Sequence, residues 1–140
     1  MRVVLASLTA CLFLAGCAMS HPIDPQIAPA STSFANAEKV AVTLSNFDFT
    51  PSTIHLKAGR PYALVLTNTA DGGHDFAAPE FFAAAKIEAG DAASVAKGEV
   101  ELEGGQSATV HLVPAAGEYD LVCTHAGHAL LGMKGKIVVD

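Results

Sequence analysis

The sequence predicts an all-β domain, a sandwich or barrel of about seven short strands, carried behind an export leader. Three observations point there. Apolar residues recur at every second position in run after run, turn-forming clusters separate several of those runs, and only one segment carries helix chemistry. At 140 residues the chain has room for one such domain.

The first sixteen residues do not belong to it. Arg2 precedes the apolar run VVLASLTACLFLA, and the run closes in LAGC at Cys17. That order predicts a signal peptide over 1–16 whose removal leaves Cys17 as an acylated N-terminus. A lipid there anchors the protein on a membrane surface rather than through it. Residues 17–37, with Pro22, Pro25 and Pro29 and no apolar periodicity, predict a flexible, extended tether with His21 solvated in it.

From 38 to 140 the period is two. Val40, Val42 and Leu44 point one way, as do Ile54 and Leu56; YALVLTN at 62–68 is apolar on both faces. Val100 and Leu102, then Ala108, Val110 and Leu112, then Tyr119, Leu121 and Cys123, continue the alternation, and KIVV ends it. KAGRP, EGGQS and PAAGEY supply turns. The exception is PEFFAAAKIEAG, which predicts one short inserted helix around 79–90, with Pro79 at its start and Gly90 at its end.

Composition then narrows the function. Once the signal is gone, seven Lys and Arg stand against fourteen Asp and Glu, a formal charge of −7. Nucleic acid is excluded as a partner and basic partners are favoured. Cys11 leaves with the signal and Cys17 is acylated, so Cys123 is the only thiol in the folded part. No disulfide is available to it, and a free thiol in an oxidising compartment calls for burial or a metal.

Strand parity places His55 and His111 toward solvent, opposite apolar neighbours. His74 differs, because Gly72 and Gly73 precede it in a loop that can approach something closely. Cys123 starts on the core side of its strand; His128 follows after five residues and Met133 after five more. Thiolate, imidazole and thioether together suit copper in both oxidation states better than calcium, magnesium or structural zinc. An electron-transfer copper site takes two histidines, one cysteine and a weak axial methionine, and His74 is the remaining inner histidine.

At these residues the chain resembles the small blue copper proteins of the cupredoxin superfamily, the group of plastocyanin, azurin and pseudoazurin. The resemblance covers roughly 38–140 and lies in FDFTPSTIHLKAGRPYALVLTN, GGHDF and GEYDLVCTHAGHALLGMKGKIVV. It implies a Greek-key β-sandwich of eight strands and a single type 1 copper ion held by His74, Cys123, His128 and Met133. Two positions depart from the family pattern. Asp75 stands where Asn is common, and its carboxylate would lower the potential if it pointed inward; His125 replaces an apolar or aromatic residue and is expected to face outward.

The function implied is one-electron transfer between exported redox partners, by a monomer that is not an enzyme. A patch of Ala126, Ala129, Leu130 and Leu131 around His128 would dock a partner such as a c-type cytochrome or a membrane oxidase or reductase. The alternative is copper storage, delivery or resistance with the same ligands. The leader implies a periplasmic lipoprotein, and Ala18 after the cysteine favours the outer membrane where the host has one.

Overall fold

The structure, a computed structural model, describes residues 21–140; the predicted signal peptide and Cys17 lie outside them. Eleven strands form two sheets. In chain order they are β1 (Gln26–Ile27), β2 (Glu38–Ser45), β3 (Asp48–Thr50), β4 (Thr53–Leu56), β5 (Tyr62–Asn68) and β6 (His74–Ala77), then β7 (Lys86–Ile87), β8 (Glu99–Leu102), β9 (Ser107–Val113), β10 (Gly117–Val122) and β11 (Lys134–Val139). Helices α1 (Pro79–Ala84) and α2 (Ala92–Val95) flank β7. No helix among the described residues is long and apolar enough to cross a membrane.

One sheet runs β1-β7-β9-β5-β2-β3 and the other β4-β11-β10-β6-β8. The alternation read from the sequence is what lets them pack. Val42, Leu44, Leu64, Leu66, Val110 and Leu112 of the first sheet meet Ile54, Phe76, Val100, Leu102, Leu121 and Ile137 of the second, all buried. Each such side chain contributes about 1.5–3 kcal/mol on leaving water. Tyr62, Ala63 and Leu64 are consecutive and buried because β5 is central, between β9 and β2. The sheets are mixed rather than antiparallel throughout: β2 runs parallel to β5, and β4 parallel to β11. Only β2–β3 and β10–β11 pair antiparallel in succession; from β3 to β10 each strand passes to the other sheet, so most pairing partners come from distant sequence.

Three expectations need correction. The helix at 79–90 stops at Ala84, because Ala85 is extended and Lys86–Ile87 pairs with Leu112 and Val113 of β9. Ile87 is fully buried, and the Asp91 carboxylate accepts from the His111 N–H at 2.7 Å, so tertiary pairing overrides helix propensity. The stretch 21–37 is fastened along the body rather than free. Its β1 pairs with β7, Ile23 packs on the core, and the Ile23 N–H donates to the Ala96 carbonyl at 2.9 Å. Finally, His111 is half-buried, with Nδ1 2.9 Å from Asp91 Oδ2 and 3.1 Å from Glu88 Oε2, while His55 is exposed.

Phe76 bridges the sheets directly behind His74, edge-on to Phe49 at 6.0 Å and tilted against Phe82 at 5.9 Å. Its replacement in Phe76→Ala leaves a cavity at that junction, and denaturant unfolding should show a loss of about 3–5 kcal/mol.

Candidate metal centre

Three elements deliver the candidate donors to one end of the sandwich. His74 opens strand β6, paired with Leu102 of β8, so it sits on a paired strand rather than on the loose loop its glycines suggested. Cys123 follows the last residue of β10, on the core side of that strand as its parity predicts, and is buried. His128 and Met133 lie on the loop that returns to β11.

The loop's backbone explains its spacing. The Cys123 N–H donates to the Met133 carbonyl at 3.1 Å, and the Met133 N–H to the His128 carbonyl at 3.0 Å. The His128 N–H reaches back to the His125 carbonyl at 3.0 Å. Gly127 and Gly132, at φ +84° and +108°, supply the left-handed turns that this curl needs. Met133 is thus held, fully buried, beside the cysteine whose strand began the loop.

His128 Nδ1 lies 3.1 Å from His74 Nδ1 and 3.4 Å from Cys123 Sγ, and His74 Nδ1 lies 3.8 Å from the same sulfur. An ion with bonds of about 2.0 Å to nitrogen and about 2.3 Å to sulfur, at angles of about 100–120°, sets donors about 3.1–3.8 Å apart. The spacing fits. Asn46 Oδ1 stands 3.1 Å from His74 Nε2, and as a pure acceptor it calls the ring proton to Nε2, leaving the Nδ1 lone pair aimed at the other donors. Asn46 escaped the sequence reading because it belongs to the turn between β2 and β3 and is near only in space. Its neighbour Phe47, at φ +110°, holds its ring edge-on to His128 at 5.0 Å. A bulky side chain in that backbone region costs about 1–3 kcal/mol, and such strain clusters at functional sites.

Asn68 is the other residue without a sequence signal. Fully buried, it donates to the Gly72 and Leu102 carbonyls at 2.8 and 2.9 Å and accepts from Ala70 N–H at 3.0 Å. That fixes the turn before His74. Asp75 faces the neighbouring loop: one carboxylate oxygen accepts from Thr124 N–H at 2.8 Å and the other from the Thr124 hydroxyl. His125 places Nε2 at 2.9 and 3.0 Å from the two oxygens of Glu101, and its ring stacks on His128 at 5.3 Å. It is directed away from the three donors at its Nε2 and covers one of them with its face.

Burial pushes the Cys123 thiol up, against partial stabilisation of the thiolate by the Asp75 and His125 backbone amides. Burial also lowers His74, helped by the nearby His128 and His125 rings and opposed by Asp75. Burial thus favours the neutral forms of Cys123 and His74, and no carboxylate is among the three converging donors. One sulfur and two imidazole nitrogens fit a metal that takes thiolate and imidazole together.

A family model for the cupredoxin-like domain matches residues 5–139. The chain belongs to that family. Among solved structures, this cupredoxin resembles auracyanin B, with a TM-score of 0.59 at 20% identity over 87% of this chain and 99% of the other. Reduced auracyanin from the photosynthetic bacterium Roseiflexus castenholzii gives 0.55 at 19% identity over 74% and 98%. Auracyanin A, a blue copper protein of Chloroflexus aurantiacus, gives 0.50 at 22% over 73% and 99%. At these identities the likeness is one of fold. No protein of curated function matches the sequence.

The lowered His74 sets a direction for pH. In the unfolded chain this ring takes up a proton near its ordinary value of 6.5, while the folded one resists. The unfolded state then binds more protons, so His74 makes the metal-free protein lose stability as pH falls through 6.5. Urea midpoints measured from pH 8 to 5 should fall, and His74→Gln should make that decline shallower.

Proposed function

We propose that this cupredoxin carries one copper ion on His74, Cys123, His128 and Met133 and passes single electrons between exported redox partners. The observation that carries the reading is the convergence of His74 Nδ1, His128 Nδ1 and Cys123 Sγ within 3.8 Å. When bound, copper supplies the Cu(I)/Cu(II) couple.

The chain's part is to hold the donors still and keep water out. Asn46 fixes the His74 tautomer, Asp75 ties the ligand loop to β6 through Thr124, and the Cys123–Met133 backbone bond closes that loop. Phe47 and His125 pack against His128, which is half-buried and offers its ring edge near the surface. Around it Leu130 is 91% exposed, Leu131 63% and Phe47 36%, an apolar rim that supports brief docking of a partner. The acidic remainder supports steering of a basic partner such as a c-type cytochrome. In this reading the protein is not an enzyme: the same donor set serves only to accept and release the electron. Acylation at Cys17 and export to a periplasmic membrane surface complete the proposal, on the strength of the LAGC ending and of Cys123, the single thiol among the described residues, being buried.

The test is to load the protein with Cu(II) and record visible absorption and EPR. An intense sulfur-to-copper charge-transfer band should appear, vanish on reduction, return on reoxidation, and be absent in Cys123→Ser. Weak tetragonal signals without the band would remove Cys123 from the ligand set and the electron-transfer reading with it. Asn46→Ala keeps all four ligands but frees the His74 ring. Competition against a copper chelator should show affinity lower by about 10–100-fold.

A further inference from the structure

The segment just after the predicted anchor is nailed to the body. Beside the Ile23–Ala96 bond, Gln26 Nε2 donates to the Ala83 carbonyl at 2.8 Å and the Ala28 N–H to the Ile87 carbonyl at 2.8 Å. Even His21 is in close contact, since a Cβ added at Gly98 would lie 2.6 Å from the His21 carbonyl oxygen and 2.7 Å from Pro79 Cβ. His21 and Ile23 border a groove with Ala77, Pro79, Val122 and Thr124. Asp120, Val122 and Thr124 alternate with the core-facing Leu121 and Cys123, so the groove lies on the outer face of the second sheet. Thr124 follows the candidate ligand Cys123 directly, and Ala77 lies three residues along β6 from His74.

We infer that the lipid anchor holds the metal-bearing end of the domain on a short leash, with the outer face of β6 and β10 beside α1 turned toward the bilayer. The inference rests on the proposed acylation of Cys17. Four peptide steps link Cys17 to His21 and span at most about 14 Å when fully extended. The groove adds its own width, and three strand residues from Ala77 to His74 add about 10 Å. The candidate ligands therefore remain within about 30 Å of the acylated cysteine, whatever path residues 18–20 take. A free tether over 17–37 would have reached about 70 Å.

Adhesion is not what sets this geometry. Glu80 and Asp120 also border the groove, so the face offers no attraction to anionic headgroups, and the covalent link does the holding. The arrangement suits electron partners whose redox centre lies at that same membrane surface.

The test uses the full-length lipidated protein in phosphatidylcholine vesicles carrying a headgroup-labelled acceptor lipid. A short-range donor dye is attached through Glu80→Cys, beside the groove, or through Lys57→Cys, past the end of β4 farthest from Cys123. The unsubstituted protein controls for labelling of Cys123. Energy transfer from position 80 should exceed that from position 57 several-fold. Twenty Gly and Ser residues inserted between 18 and 21 should bring the two close to equal. Equal transfer in the parent protein, when it floats with the vesicles and its mass includes the lipid, overturns the leash while leaving the acylation standing. A chain that neither floats nor carries the lipid overturns the acylation itself, and the leash with it.

Discussion

The hydrogen bond from the Cys123 amide to the Met133 carbonyl is the constraint on which the candidate site depends. It closes the mouth of the loop where β10 gives way to β11, just as the Val122–Lys134 pair ends the ladder. Closing a loop of this size costs chain entropy, and the cost is met by the paired strands that bring its ends together. Once the mouth is shut, the positions of Cys123, His128 and Met133 are set relative to the sandwich and not merely to each other. The cross-strand pairing of β6 with β8 then fixes where His74 arrives.

Polar side chains do the finer work. Asn68, His74 and Asp75 are the buried polar residues of the described chain, and each is satisfied. They sit within eight positions of one another, spanning the turn that leads into β6 and the first residues of that strand. Burying polar groups is unfavourable unless they are paired, so their clustering at one end of an otherwise apolar core marks where shape has been specified rather than simply filled. Asp75 illustrates the choice. A carboxylate in that position could have faced the donors and biased their charge; it accepts two hydrogen bonds from Thr124 instead and acts as a brace.

How much of this was legible beforehand follows from range in sequence. The inward residues of β2, β4, β5, β8, β9 and β10 could be read because alternation is local, and Cys123 and His128 stood out as candidate donors because they occur in one run; the structure brings both beside His74. The mixed sheet order could not, since β2 beside β5 and β4 beside β11 depend on contacts that no local pattern encodes. Asn46 and Asn68 were invisible for the same reason: an asparagine in a turn reads as turn chemistry until its partner is seen. Pro22, Pro25 and Pro29 suggested a free tether, yet proline's extended preference equally suits a segment laid flat along a surface, as residues 21–37 are. The helix failed at Lys86 because a buried isoleucine one residue later had a strand waiting for it.

The placement of His74 on a paired strand, apart from the loop carrying the other three proposed ligands, has a kinetic corollary. Breathing of residues 123–133 alone would loosen three of the four proposed ligands at once, while the fourth stayed anchored in a ladder that opens only with the sheet. Release of a bound ion and hydrogen exchange at the Cys123 and Met133 amides would then share one opening event. The residence time of the metal would be governed by the local stability of eleven residues rather than by the unfolding of the domain.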